Sequence, residues 1–347
     1  MIRPLGVGIL GAGLVTQAIH LPTLARMPSQ FRVVTVMDLD ARVAEEVAAR
    51  AGAEPTQSVQ AVLEHPGVDV VAVCSPHQFH AEQVAAICAA DKRGVLCEKP
   101  LATTQAEAEE ISKAVTAAGI PLVVGAMHAY DPGWLAAFDA CAGWLGDAHT
   151  IRSTIVLPFN DRLEDWATEI ASRPALPPRG AVPSAQERAE WIRGLVLGLT
   201  IHDLPLVRAL APAFDRVDHA EFVAPFGGVI SLTAGQRRVE LIAFMRPVWQ
   251  PDWRLEAWAA EAALSVSFTP SFVHAGSASA TIRDRQGERH ITALPYNGYE
   301  GEWRELHDLV SGAATPRYPL SEIVADLTFA TGVAEGAASA VLRGVPQ

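Results

Sequence analysis

At 347 residues, half of them hydrophobic and 19% charged, the chain is long enough for two globular cores. A formal net charge of −12 with no basic block removes the main electrostatic term for nucleic-acid binding, and no apolar run reaches the ~18 residues of a membrane span. Four cysteines (Cys74, Cys88, Cys97, Cys141) without CxxC pairing read as free thiols, and an N-terminus that runs straight into a strand pattern reads as cytoplasmic.

Leu5 to Leu10 is a short apolar run. It is followed by Gly11-Ala12-Gly13 and then by helical spacing of apolar residues from Leu14 to Arg26. Strand, glycine turn and helix start form a bed for a pyrophosphate, with Gly11, Ala12, Gly13, Leu14 and Val15 presenting backbone N–H groups. The third position of the glycine pattern is Thr16, so the fingerprint is incomplete. A second strand, Phe31 to Met37, ends at Asp38, placed to meet the adenosine ribose hydroxyls and to repel a 2′-phosphate. NAD is therefore expected over NADP.

The alternation continues. A helix from Ala41 ends at Gly52, and Ser58 opens a short helix that stops at Pro66. Val68 to Cys74 is a buried parallel-type strand that breaks at Ser75-Pro76, followed by a helix from Gln78 to Asp91. Val95 to Cys97 is a strand running into Glu98-Lys99-Pro100. Thr104 and Glu107 form a capping box, and Pro121 to Gly125 closes the set. Six strands with crossover helices over residues 5–125 make a doubly wound parallel sheet, with ligands beyond the carboxyl ends of the strands. Gly11, Asp38, Ser75, Lys99 and His128 all fall at such ends. His77 and His80 lack further ligands at metal spacing, so no metal is expected.

The glycine turn, Val73-Cys74-Ser75-Pro76-His77-Gln78-Phe79-His80, Glu98-Lys99-Pro100-Leu101-Ala102 and Gly125 to Pro132 together resemble the Gfo/Idh/MocA oxidoreductases. The resemblance implies that Ser75, Pro76, His77, His80, Glu98 and Lys99 line the cofactor cleft. It also implies that Lys99 touches both nicotinamide ribose and substrate, and that Lys99-Pro100 can be cis. A lysine beside a nicotinamide cation in a dry cleft has its ammonium form disfavoured, which suits it to polarise an oxygen or relay a proton.

Asp131-Pro132-Gly133 starts a bridging helix, and His149 to Leu157 alternates as a strand. The Pro-rich stretch 158–183 holds Asn160, Arg162, Asp165, Trp166 and Arg173, polar groups suited to a sugar or polyol. Ser184 with Glu187 caps a helix expected to continue to His202. The family signature Asp-x-x-x-His-x-x-Asp falls here, but Gly198 and Pro205 stand where its carboxylates belong. His202 matches and is the expected acid/base, while Asp203 beside it points about 100° away on a helix. Ala129 replaces an Arg of many relatives, and His128 and Tyr130 are expected substrate contacts.

Segments at 217–223, 229–233, 239–245, 255–268 and 280–282 alternate as an antiparallel sheet, with turns at Gly227-Gly228, Gly235-Gln236 and Gln286-Gly287. Trp249, Trp253 and Trp258 fall in this region; they can stack on a sugar, but read first as residues buried in a core or interface, the interface leading. Helices at Glu302–Leu309 and Ser321–Leu342 close the chain; the resemblance places them beside the first domain.

The expected fold is thus an α/β doubly wound Rossmann domain over 1–128. An α+β substrate and oligomerisation domain with an open, mainly antiparallel sheet covers 129–347. The resemblance implies hydride transfer between NAD and a secondary alcohol of a sugar or cyclic polyol, by a homodimer or homotetramer, with Lys99 and His202 catalytic and Lys99, His128, Tyr130, Trp166 and His202 at the substrate. Two alternatives stand beside it: an NAD-retaining enzyme that eliminates from glycosides, and a non-catalytic NAD sensor.

Overall fold

The computed structural model describes residues 3–159, 184–248 and 250–344. The chain divides into two compact units, one built from Met1–Ala126 and Tyr299–Leu327, the other from Met127–Gly298 and Thr328–Gln347.

The first unit is a six-stranded parallel sheet in the order β3-β2-β1-β4-β5-β6. Its strands are β1 (Leu5–Leu10), β2 (Phe31–Met37), β3 (Glu54–Thr56), β4 (Val70–Val73), β5 (Gly94–Glu98) and β6 (Leu122–Gly125). β1, β4 and β5 are buried along their whole length, which explains why they read as continuous apolar runs and not as alternating ones. β3 has no such signal. It is three residues long, carries Pro55 and pairs only with β2, as proline at a sheet edge allows. The helices start where their caps demand. Asp40 accepts from Arg42 and Val43 N–H, Ser58 from Ala61 N–H, and Thr104 and Glu107 close a reciprocal capping box. Ile87, Ile111 and Val115 pack with Val71, Val95 and Leu122 in one core, which Ile323 and Leu327 join.

The second unit is an eight-stranded, mainly antiparallel sheet in the order β14-β13-β12-β11-β7-β10-β9-β8. Here β7 is Thr150–Leu157, β8 Arg216–Phe222, β9 Phe226–Ala234, β10 Arg237–Met245, β11 Asp252–Trp258, β12 Ala263–Ser267, β13 Ser279–Asp284 and β14 Gly287–Ile291. β7 and β10 run parallel in the middle of the sheet. β7 alternates strictly between buried and half-buried residues, so one face is sealed and the other is partly open.

Three local expectations are corrected here. Gly227 and Gly228 are not a turn; both lie inside β9. A Cβ at Gly228 would meet the Ile192 side chain at 2.6 Å, and one at Gly227 the Phe244 ring at 2.2 Å, so these glycines admit close neighbours. The segment 255–268 is two strands, β11 and β12, joined by a tight turn closed by Ala259 N–H to Ala262 C=O. The helix that begins at Ala185 stops at Gly198 and does not reach His202. Thr200–His202 is a 3₁₀ turn, and a new helix, Leu204–Leu210, takes Pro205 into its first turn, where a missing N–H costs nothing.

Candidate functional site

In the first unit the glycine turn lies at the carboxyl end of β1. Gly11 has φ +95°, and a Cβ there would meet Ser75 N at 2.7 Å, so only glycine fits. A Cβ at Gly13 would meet nothing within 4 Å, which leaves open space over the start of the helical run 14–25 for a phosphate group. Asp38 accepts from Ala12 N–H at 2.9 Å and from Asp40 N–H at 3.0 Å, so its carboxylate is held against the turn. Thr16, where the fingerprint has glycine, turns its hydroxyl back to donate to Gly11 C=O at 2.6 Å. From this residue the helix is π-wound over Thr16–His20, a departure common at functional sites.

That turn carries a residue the sequence reading missed. His20 is fully buried, and its Nε2 lies 3.0 Å from Glu98 Oε1 at the end of β5. Trp303 Nε1–H donates to His20 Nδ1 at 3.1 Å. Nδ1 therefore accepts, and the ring proton sits on Nε2, donated to Glu98. Burial disfavours charge on His20 while Cys74 and Glu98 draw its pKa upward; the Trp303 N–H aimed at Nδ1 opposes a second ring proton. Burial would raise Glu98, but the His20 hydrogen bond and the neighbouring Lys99 outweigh it and hold the carboxylate ionised. Glu98 Oε2 also accepts from Lys99 N–H at 3.2 Å, and a Cβ at Gly125 would stand 3.0 Å from this carboxyl group.

Glu302 completes the cluster from the helix Gly298–Val310. It is fully buried, neither carboxyl oxygen has a hydrogen-bond partner, and burial beside Glu98 raises its pKa well above the ordinary value. His20, Glu98 and Glu302 offer atoms within 4.8 Å of one another, near enough to hold an ion. While Trp303 donates to Nδ1, however, Nε2 carries a proton and has no lone pair for a metal. No spacing rule joins residues 20, 98 and 302, so this cluster could not have been found from the sequence.

Lys99 follows Glu98, and its peptide bond to Pro100 is cis. Desolvation lowers the pKa of its ammonium group, against the Glu98 charge, which raises it. His80, expected at the cofactor, has both ring nitrogens on backbone carbonyls: Nδ1 at 2.9 Å from Pro100 C=O and Nε2 at 3.0 Å from Ser75 C=O. Burial lowers its pKa, so the neutral ring donates to one of these two carbonyls, just beyond the ends of β4 and β5. Ser75 Oγ donates to Gln83 Oε1, while His77 is exposed.

In the second unit the structure gathers His128, His202, Asp203, Ser153 and Trp253. His128 lies in a short 3₁₀ turn, Met127–Tyr130. Asp203 is fully buried. It accepts from His128 Nδ1–H at 2.7 Å, from Ser153 Oγ–H at 2.6 Å and from Trp253 Nε1–H at 3.0 Å. His202 Nδ1 lies 3.0 Å from Met127 Sδ, and its ring centroid is 6.3 Å from that of His128. Trp253, expected in a core or interface, lies in the core: it is 2% exposed and its N–H is bound to Asp203. Trp258 is half-buried under the Arg152 guanidinium, 4.9 Å from its centroid. Tyr130 is buried. Trp166 and Trp249 lie outside the described residues.

Residues 5–126 match the model of the oxidoreductase family with an NAD-binding Rossmann fold, GFO_IDH_MocA. Over this stretch the chain is similar to the Gfo/Idh/MocA oxidoreductases. It is 40% identical over 129 residues to inositol 2-dehydrogenase 3 of Saccharopolyspora erythraea, covering 37% of this chain and 38% of the relative. It is 31% identical over 206 residues to inositol 2-dehydrogenase of Rubrobacter xylanophilus, covering 59% and 51%. The matched stretch thus spans about half or less of these curated relatives. The fold is shared more widely. A UDP-N-acetylglucosamine 3-dehydrogenase of Acidithiobacillus ferrooxidans superposes with a TM-score of 0.75 at 20% identity, over 98% of this chain and 100% of that one. A 3-ketoreductase of Actinomadura kijaniata, in complex with TDP-benzene and NADP, gives 0.72 at 20%, over 96% and 98%. Among the described residues no helix is long and apolar enough to cross a membrane.

Proposed function

We propose that this protein transfers a hydride between NAD and a secondary alcohol or ketone of a sugar, cyclic polyol or sugar derivative. The observation that carries this reading is Lys99, whose ammonium is disfavoured by burial and which follows the buried Glu98 at the carboxyl ends of the parallel strands, where the Gly11 turn and Asp38 also lie. The relatives named inositol 2-dehydrogenase and the fold-mates named as sugar-nucleotide dehydrogenase and ketoreductase support the substrate class.

The open space over Gly13 and the N–H groups of the following helix fit the dinucleotide pyrophosphate. Asp38 faces the ribose end and disfavours an added phosphate, and Leu39 after it supplies no cation, so NAD is the assigned cofactor. When bound, the nicotinamide supplies the hydride acceptor or donor. Lys99 is assigned to polarise the substrate oxygen, and His202, by the family spacing, to exchange the alcohol proton; His128 and Tyr130 are assigned as substrate contacts. The half-open face of the eight-stranded sheet, with the Arg152–Glu256 pair and Trp258, is the surface assigned to self-association.

A panel of polyols and sugars with NAD and NADP, followed at the nicotinamide absorbance band, tests the reading. Lys99→Met lowers kcat/KM by about 10²–10⁴-fold with dinucleotide affinity changed far less. Undiminished turnover in that variant sinks the role of Lys99, and a preference for NADP sinks that of Asp38.

A further inference from the structure

We propose that Gln17 and Arg50 are positioning residues for the dinucleotide, a side-chain brace that sets the glycine turn where the third glycine of the fingerprint is missing. The inference deepens the cofactor reading of that turn and rests on it.

A glycine at the third position of the fingerprint lets helix and strand approach closely. Thr16 stands there instead and is fully buried, and the helix is π-wound from this residue to His20, which widens the turn around it. Two consecutive side chains of that turn reach back to the glycine loop. Thr16 Oγ–H donates to Gly11 C=O at 2.6 Å, and Gln17 Nε2–H donates to Ala12 C=O at 2.8 Å. The other end of the buried Gln17 amide is taken as well. Arg50, in the last turn of the helix Ala41–Ala51, donates to Gln17 Oε1. A bond from a guanidinium is charge-assisted, and stronger than one between neutral groups. With a donor on Oε1 and a carbonyl against Nε2, one orientation of the amide satisfies both contacts. Arg50 itself is exposed, so the brace runs from the surface to the glycine loop.

The brace acts on the two peptide groups that flank Ala12. In the peptide between Gly11 and Ala12, Thr16 holds the carbonyl, and the N–H is donated to Asp38 Oδ2 at 2.9 Å. In the peptide between Ala12 and Gly13, Gln17 holds the carbonyl. A trans peptide points its C=O and N–H in opposite directions, so this bond also fixes the direction of Gly13 N–H, one of the donors offered to the pyrophosphate. Asp38 has one other backbone donor, Asp40 N–H at 3.0 Å. The aim of its carboxylate therefore depends on Ala12 N–H, and through Ala12 on Gln17 and Arg50. Loosening the brace should cost the ribose its acceptor and relax the repulsion of a 2′-phosphate at the same time.

The test titrates the full-length wild type and the variants Gln17→Glu, Arg50→Met and Arg50→Lys with NADH and with NADPH, followed by the fluorescence of the bound dihydronicotinamide. Gln17→Glu keeps the side-chain volume and the tie to Arg50 but has no N–H for Ala12. Its NADH dissociation constant is expected to rise about three- to tenfold, the scale of one lost hydrogen bond. In Gln17→Glu and in Arg50→Met the ratio of the NADPH constant to the NADH constant is expected to fall, because Asp38 is no longer held in one direction. A change that merely loosened the fold would weaken both dinucleotides alike. Arg50→Lys keeps a cationic donor and is expected to lie closer to wild type than Arg50→Met does. Circular dichroism checks that each variant is folded, and if Gln17→Glu is not, Arg50→Met at the exposed end decides alone. If the folded variants bind both dinucleotides within about twofold of wild type, or if the two constants rise in parallel, the brace is overturned and the cofactor reading stands. If wild type binds neither NADH nor NADPH, the cofactor reading fails first and the brace falls with it.

Discussion

Two buried histidine–carboxylate pairs, one in each unit, solve the same electrostatic problem in opposite ways. In the second unit one carboxylate, Asp203, gathers three donors. In the first unit two carboxyl groups compete for one imidazole. Glu98 takes the His20 N–H and stays ionised, while Glu302 has no donor and is pushed toward its neutral form. Burial alone therefore does not decide the charge of an acid; the number of aimed donors does.

Removing the two acids should move stability in opposite directions. Asp203→Ala strands three donors in a dry core, and urea denaturation should show a loss of about 3–5 kcal/mol. A loss under about 1 kcal/mol would break the comparison, since the donors would then have found other partners. Glu302→Gln should stabilise by about 2 kcal/mol near neutral pH. The sign follows from proton counting. Burial raises Glu302 above its ordinary value of 4.5, so the folded chain keeps a proton that the unfolded chain releases. Stability is then lost as pH rises above the unfolded value, and the amide variant escapes that loss. The gain should vanish below about pH 4.5, and a gain independent of pH would show that Glu302 is ionised after all. Ser153→Ala, which removes one of the Asp203 donors, is the finest probe, at about 1.5 kcal/mol. No change there would mean that Trp253 and His128 suffice.

Much of the first unit was legible because its signals are local. Glycine turn, caps and doubly buried strands each occupy a few consecutive residues, and their order gives the topology. The edge strand Glu54–Thr56 escaped because an edge needs no apolar run. The site was half legible. Lys99 and Glu98 stand at a strand end that reads directly. The partners of Glu98 come from a π-wound turn and from a helix some 200 residues later, and no periodicity links them. Asp203 was set aside as a partner of His202, and its carboxylate indeed goes elsewhere, to His128 75 residues earlier, a pairing that no spacing announces. Once the helix stops at Gly198, the direction of each side chain in 199–203 is set by the 3₁₀ turn. Gly227 and Gly228 misled, since glycine permits either a turn or a close approach and only the packing tells which.

The central place of β7 has a consequence in time. It pairs with β10 in parallel, and with β11, across gaps of about 90 to 100 residues, and Ser153 sits in it. Contacts of such long sequence separation close slowly, after local hairpins such as β9–β10 and β13–β14 have formed. The Asp203 network draws on residues 128, 153, 203 and 253, so it can exist only when that slow closure is complete. A chain released early from folding would hold its hairpins and lack the network, which makes burial of the Trp253 indole a natural optical clock for the last step of assembly.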